Sequence, residues 1–156
     1  MVEQQIKIIL TLLEEILDKM TVQGKIECVE LDGDRIFTIK TKEAGILIGE
    51  EGKHLIALSH VVKKMAETRL RIANLEALSF LLDVNDYQRK RIEEIKNIAR
   101  LNAQRARFFK KEIEMDPMSA YDRRIIHAIL GEYPDIKTES LGEEPNRRVV
   151  IKPVVL

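Results

Sequence analysis

Between Asp86 and Phe109 the chain contains neither proline nor glycine. Ile92, Ile95, Ile98 or Ala99, Leu101 and Ala106 keep a helical period there through a dense set of arginines and lysines. So long a periodic stretch without a breaker predicts one continuous basic helix. A chain of 156 residues can be one compact unit or two small ones, and this helix reads as the connection between two.

Upstream, Ile6, Ile9, Leu10, Leu13, Ile16, Leu17 and Met20 recur at three-to-four spacing, predicting an amphipathic helix over residues 3–21 with Gly24 as its stop. Lys25 to Leu31 and Asp34 to Thr41 carry β-branched and aromatic residues on either side of Asp32-Gly33, a strong two-residue signal for an antiparallel hairpin. Ala44 to Ile48 leads into Gly49-Glu50-Glu51-Gly52. Lys53 to Ile72 then places Leu55, Leu58, Val61, Val62, Met65 and Leu70 at helical spacing. Residues 75–84 are short and apolar, as a strand buried in a sheet would be. The first unit, residues 1–85, therefore reads αββ(α)αβ.

The second unit, residues 86–156, opens with the long helix. Residues 111–115 predict a short strand. Asp116-Pro117 looks like a helix start, with the carboxylate as cap and proline preset for the first turn, and the helix runs to a stop at Gly131. Ile136 to Leu141 and Arg147 to Ile151, separated by Gly142-Glu143-Glu144-Pro145-Asn146, predict a closing hairpin. The expected fold class is α/β in the α+β sense, with a three-stranded sheet in each unit.

Hydrophobic residues make up 45% and charged residues 33% of the chain, enough to build a core, which excludes intrinsic disorder. The single cysteine, Cys28, allows no internal disulfide and no four-thiolate zinc site; it is expected to be a small buried hydrophobe in a strand. The first residues lack a basic n-region and an uninterrupted apolar run, so neither a signal peptide nor a membrane insertion is expected, and the cytoplasm is the default location. Net charge is zero, but residues 1–95 hold 14 basic and 17 acidic residues, a balance of −3, whereas residues 96–156 hold 12 and 9, a balance of +3. The basic half is where an acidic partner would bind.

A Gly-x-x-Gly turn opening a helix lets a phosphate backbone approach N–H groups at the positive end of the helix dipole. Alone, the spacing is often only a turn. Here Ile46-Leu47-Ile48-Gly49-Glu50-Glu51-Gly52-Lys53-His54-Leu55-Ile56-Ala57-Leu58 resembles the Ile-Gly-x-x-Gly-Lys segment of KH domains, and the helix and hairpin before it match the order of the type II variant. The resemblance implies a loop, Gly49, Glu50, Glu51, Gly52 and Lys53, that clamps about four nucleotides of single-stranded RNA or DNA. The sequence departs from the family where a basic residue is common in the middle of the loop. Glu50 and Glu51 stabilise the helix start but repel phosphate, so weak binding is expected, or a use of this unit in pairing with another KH unit.

Arg123 and His127 stand four apart, so they share one helical face beside Arg124, and Met118, Tyr121, Ile125 and Ile129 are expected on the opposite, core side. That orientation would turn the guanidinium outward, where it can fork onto phosphate oxygens. The flanks, Pro117-Met118-Ser119-Ala120-Tyr121-Asp122-Arg123-Arg124-Ile125-Ile126-His127, Thr138-Glu139-Ser140, Gly142 and Pro145-Asn146-Arg147-Arg148-Val149-Val150-Ile151-Lys152-Pro153, resemble the domain named for its Arg-x-x-x-His spacing. A KH domain followed by that domain resembles the Jag family, also called SpoIIIJ-associated proteins, across essentially the whole chain.

The resemblance implies a protein that binds single-stranded RNA, with single-stranded DNA as the alternative strand. It also implies a post-transcriptional role tied to bacterial cell elongation and division, often with a small stand-alone KH protein as partner. Arg123 and His127 are carried over as the signature pair, and Arg124, Arg147, Arg148 and Lys152 extend the basic face. The N-terminal Jag domain of many members is not matched, and activities belonging to it are not carried over. Arg100, Arg105, Arg107, Lys110 and Lys111 are further candidates for the basic track. Phe37, Phe80, Phe108 and Phe109 fall in or beside apolar stretches and are expected in the core, leaving no stacking platform.

No phosphate-binding nucleotide loop, dinucleotide fingerprint, nucleophile elbow or paired catalytic carboxylates are present, so neither an enzyme nor a cofactor is expected. His54 and His60, six apart, do not stack on one face as a metal pair would. The competing expectation is an interaction scaffold that uses the KH unit for self-association or partner binding.

Overall fold

In the computed structural model, which describes residues 1–31 and 33–155, the periodic N-terminal residues form α1 (Val2–Lys19), burying Ile9, Leu12, Leu13 and Leu17 along one stripe. Its end differs from the expected glycine stop. Thr21 takes a left-handed conformation, and the Val22 N–H reaches back to the Leu17 carbonyl at 3.0 Å, so the last turn closes on its own backbone. Gly24 is instead the first residue of β1 (Gly24–Leu31), which pairs antiparallel with β2 (Asp34–Thr41). Asp32 of the expected Asp32-Gly33 turn lies outside the described residues.

A short α2 (Ala44–Ile48), a single 3-10 turn (Glu50–Gly52) and α3 (Lys53–Ile72) follow, then β3 (Leu81–Val84). The predicted strand over 75–84 is shorter than expected because residues 75–80 are held another way. Gln5, itself buried, donates from Nε2 to the Glu76 carbonyl at 2.7 Å, and Phe80 packs edge-on against Phe37 with centroids 5.2 Å apart. The sheet order is β1-β2-β3, with β3 parallel to β2. Ile26 and Cys28 of β1, Phe37 and Ile39 of β2, and Leu82 and Val84 of β3 meet the helices in one core. Cys28 is only half-buried there, and desolvation raises its thiol pKa.

The chain divides into two compact units, Met1–Gln88 and Arg89–Leu156. Asp83 is buried and its Oδ1 accepts from the Gln88 N–H at 3.0 Å, satisfying one of the unpaired donors at the start of α4 (Tyr87–Phe109). In the second unit α4 contributes alanines to the core. Ala99, Ala103 and Ala106 are fully buried, while Ile98 and Leu101, expected on the apolar stripe, are exposed. These alanines share one core with Met115, with Ile136, Val149 and Ile151 of the sheet, and with Ile126 and Leu130 from α5 (Ala120–Leu130).

That sheet has the order β4-β6-β5, from β4 (Ile113–Glu114), β5 (Ile136–Leu141) and β6 (Arg148–Pro153), all antiparallel. α5 starts three residues later than predicted because Ser119, not Asp116, is the cap: its Oγ accepts from the Asp122 N–H at 3.2 Å. No helix among the described residues is long and apolar enough to cross a membrane.

The alanine stripe sets a stability prediction. Ala103→Leu inserts three carbon atoms at a position that is fully buried and should destabilise the chain by about 1–3 kcal/mol; urea unfolding measures it, and a cost below about 0.5 kcal/mol would mean that the core around Ala103 is loosely filled.

Candidate nucleic-acid interface

The Gly-x-x-Gly loop comes first along the chain. Gly49 and Gly52 have φ of 71° and 78°, and a Cβ on Gly49 would run into the His54 ring. Both glycines are therefore needed for conformation, and Gly49 also for the close approach of the imidazole. His54 folds back over the loop, its Nδ1 2.9 Å from the Ile46 carbonyl. That makes it a strut for the loop. The N-terminus of α3 receives no hydrogen bond from a capping side chain; the turn before it takes the Gly52 N–H to the Gly49 carbonyl at 3.3 Å and the Lys53 N–H to the Glu50 carbonyl. Glu50, Glu51 and Lys53 are all exposed.

In the second unit the signature pair does not face solvent, which corrects the expected orientation of α5. Arg123 is only 7% exposed. Its Nη1 donates to the Met118 carbonyl at 2.6 Å and its Nη2 to Glu144 Oε1 at 2.8 Å. The buried stripe runs through Asp122, Arg123, Ile126 and Leu130, with Ile129 and Met118 at its margin, while Tyr121 is exposed. The physical reason is that two polar side chains in the stripe are paired: Asp122 accepts from Arg91 Nη2 at 2.8 Å, and Arg123 bridges backbone and Glu144. A paired charge can occupy a position that periodicity reserves for a hydrophobe.

His127, half-buried, spends both ring nitrogens on β5: Nδ1 lies 2.7 Å from Thr138 Oγ1 and Nε2 2.7 Å from Ser140 Oγ. The two hydroxyls stand two apart on a strand, so they share one face. A neutral imidazole with one donor and one acceptor is satisfied here, since each hydroxyl can do either. Burial, then the charges of Arg123 and Arg147, lowers the His127 pKa below its ordinary value of 6.5.

The remaining candidates divide by what already holds them. Lys152 pairs with Glu139 at 2.9 Å and Glu112 at 3.6 Å, and Arg148 with Glu114 at 3.1 Å. Hydrogen bonding to Glu139 raises the Lys152 pKa, and the same bond lowers that of Glu139. Arg147 donates to the Gly142 carbonyl at 2.8 Å and meets no carboxylate among the described residues. Arg124 is exposed and carries no partner among them. Of the helix track, Arg107 is committed: it forks onto Asp135 at 2.6 and 2.9 Å and lies 4.7 Å above the Tyr133 ring.

Sequence reasoning missed Glu144, Thr138 and Ser140 as the partners of the signature pair, and it misplaced two aromatics. Phe108 and Phe109, expected in the core, are 81% and 57% exposed. The alternating hydroxyls of Thr138 and Ser140 were a readable signal for partners of a histidine, whereas Glu144 sits in a turn whose course nothing local dictates.

The R-three-H domain family matches residues 90–153. Over 153 residues the chain is 33% identical to the RNA-binding protein KhpB of Bacillus subtilis (strain 168), covering 95% of this chain and 69% of that protein. It is 32% identical over 145 residues to the RNA-binding protein KhpB of Clostridium symbiosum, covering 89% of this chain and 62% of that protein. It is 30% identical over 150 residues to the RNA-binding protein KhpB of Streptococcus pneumoniae serotype 2, covering 96% and 44%. The chain thus spans between 44% and 69% of the length of these relatives.

The pH dependence of stability follows from His127. Its native pKa lies below its unfolded value, so the unfolded chain takes up a proton first as pH falls. Its contribution is complete above the ordinary value of 6.5 and is lost as pH falls through the depressed native value. Urea midpoints measured from neutral to mildly acid pH should fall, and His127→Gln should flatten that fall; an equal slope in the variant would assign it to other groups.

Proposed function

The chain belongs to the KhpB family, and from that premise we propose that it binds single-stranded RNA, single-stranded DNA being the alternative strand, through both of its units and without catalysing a reaction. The observation that carries the reading is in the second unit. Arg124 and Arg147 are cations that no carboxylate neutralises among the described residues, within a half of the chain whose charge balance is +3. Phosphate neutralisation by such groups makes affinity fall steeply with salt.

Residues 1–85 are proposed as a type II KH domain, a reading supported by the order αββααβ and the parallel pairing of β2 and β3. Gly49, Glu50, Glu51, Gly52 and Lys53 then form the clamp: the positive end of the α3 dipole and the ammonium of Lys53 face a phosphate, against the repulsion of two carboxylates. Residues 86–156 form the second domain, where Arg124 and Arg147 touch the strand. Arg123 and His127 act as positioning residues, because their polar atoms are already spent on Met118, Glu144, Thr138 and Ser140. Arg148 and Lys152 contribute only where phosphate displaces Glu114, Glu112 and Glu139. A cytoplasmic, post-transcriptional role tied to cell elongation and division belongs to the same reading and rests on the family resemblance.

A second reading has one observation in its favour. Val61, Met65 and Ile72 are exposed along a single face of α3, which suits pairing with another KH unit, a second copy of this chain or a small stand-alone KH protein. Binding that barely responds to salt would favour it.

The roles of the neighbouring arginines separate cleanly. Arg124→Ala should weaken binding of a short mixed-sequence RNA by about 1 kcal/mol and reduce the salt slope by about one phosphate contact, leaving unfolding unchanged within about 0.5 kcal/mol. Arg123→Ala should instead cost about 1.5–3 kcal/mol of stability. Fluorescence-anisotropy titration at two salt concentrations and urea unfolding measure both. Absence of binding to any strand would overturn RNA recognition, and a stable Arg123→Ala variant with lost binding would return Arg123 to the contact surface.

A further inference from the structure

At the end of α4 the chain exposes what a core would use. Phe108 and Phe109 are 81% and 57% exposed, their ring centroids 5.1 Å apart and their planes at 90°. The core of the unit closes without them, on Ala99, Ala103 and Ala106 of the same helix. Apolar rings left in water at a helix end are available to a ligand.

The surroundings say which one. Residues 105–111 read Arg-Ala-Arg-Phe-Phe-Lys-Lys, four cations and no carboxylate. Arg107 is tied to Asp135. Arg105 donates to the Asn102 amide oxygen at 3.4 Å, and among the described residues no ion pair holds Arg105, Lys110 or Lys111. Lys110 also has φ of 53°, a left-handed residue at the position past a helix end that glycine usually takes, so a cation stands where the helix turns away from the rings. Aromatic faces between cations that have no counter-charge match a strand of unstacked bases joined by phosphates.

We propose that Phe108 and Phe109 are a stacking platform for unpaired bases, with Arg105, Lys110 and Lys111 taking the adjoining phosphates. This deepens the RNA-binding reading and rests on it. Perpendicular rings offer faces in two directions, which fits splayed bases of a single strand and not the closed stack of a duplex. The platform supplies what the arginines of the same domain cannot, a contact that reads bases as surfaces while the cations hold the backbone.

The chain has no tryptophan, so Phe108→Trp places a single indole on the platform. The test titrates the intact chain, its Phe108→Ala/Phe109→Ala variant and the Phe108→Trp variant with a short mixed-sequence single-stranded RNA and with the same strand carrying abasic sites, after thermal unfolding has shown that the variants fold as the parent does. Stacking predicts that the double alanine variant loses about tenfold or more in affinity with an unchanged salt slope, that the parent loses a comparable factor on the abasic strand while the variant loses little more, and that RNA quenches the indole.

Parental affinity in the double variant, with no quenching of the indole, overturns the platform and leaves RNA binding standing. Failure of the parent to bind any strand overturns both. Self-association of the parent that the double variant abolishes, seen by sedimentation with RNA affinity unchanged, makes the rings a contact between copies and overturns the platform as well.

Discussion

A guanidinium that is 7% exposed cannot be left to find its own solvation. Arg123 therefore dictates what surrounds it: the Met118 carbonyl before α5 and the Glu144 carboxylate across the domain must both be in place. One turn on, His127 joins the same helix to two hydroxyls of β5. Together they fix α5 in rotation as well as in position. With Asp122 drawn toward Arg91 on one side, the helix has a single setting in which Ile126 and Leu130 reach the core and Arg124 and Tyr121 reach water. The signature spacing is then understood as a fastening: four residues bring two polar side chains onto one face so that a helix can be tied to a strand and to the loop between β5 and β6.

That loop carries Arg147, whose side chain donates to the Gly142 carbonyl and whose own carbonyl accepts from the Met118 N–H at 3.2 Å. Met118 thus bonds to Arg123 through its carbonyl and to the Arg147 backbone through its amide. The buried arginine and the arginine offered to a ligand are linked through one residue. A substitution at Arg123 removes a bond from the residue that also holds the Arg147 backbone, so a loss of binding in such a variant is read together with its stability.

Most of the fold was legible because its elements advertise themselves locally. The period over residues 3–21, the paired β-branched runs before and after Asp32-Gly33, and the unbroken stretch before Phe109 each specify an element with little help from the rest of the chain. The differences occur where tertiary partners decide. Residues 75–80 are apolar enough for a strand, yet Gln5 and Phe37 take them. Ile98 and Leu101 satisfy a helical period, yet the face of α4 that enters the core is the one carrying Ala99, Ala103 and Ala106. The orientation of α5 was the costliest difference, since hydrophobic periodicity assigns Arg123 to water and has no means of knowing that Glu144 will meet it. Phe108 and Phe109 failed in the opposite sense: apolar character suggested a core that their place past the last buried turn denies them.

The charge distribution gives the two halves different tasks. Residues 1–95 sum to −3, so this half cannot gather a polyanion from a distance. Residues 96–156 sum to +3, and their unpaired cations act over roughly a Debye length, near 8–10 Å at ordinary salt. Glu50 and Glu51, both exposed in the middle of the loop, add to the negative balance of the first half at the point where a phosphate would have to approach, so on the RNA-binding reading the long-range attraction belongs to the second half.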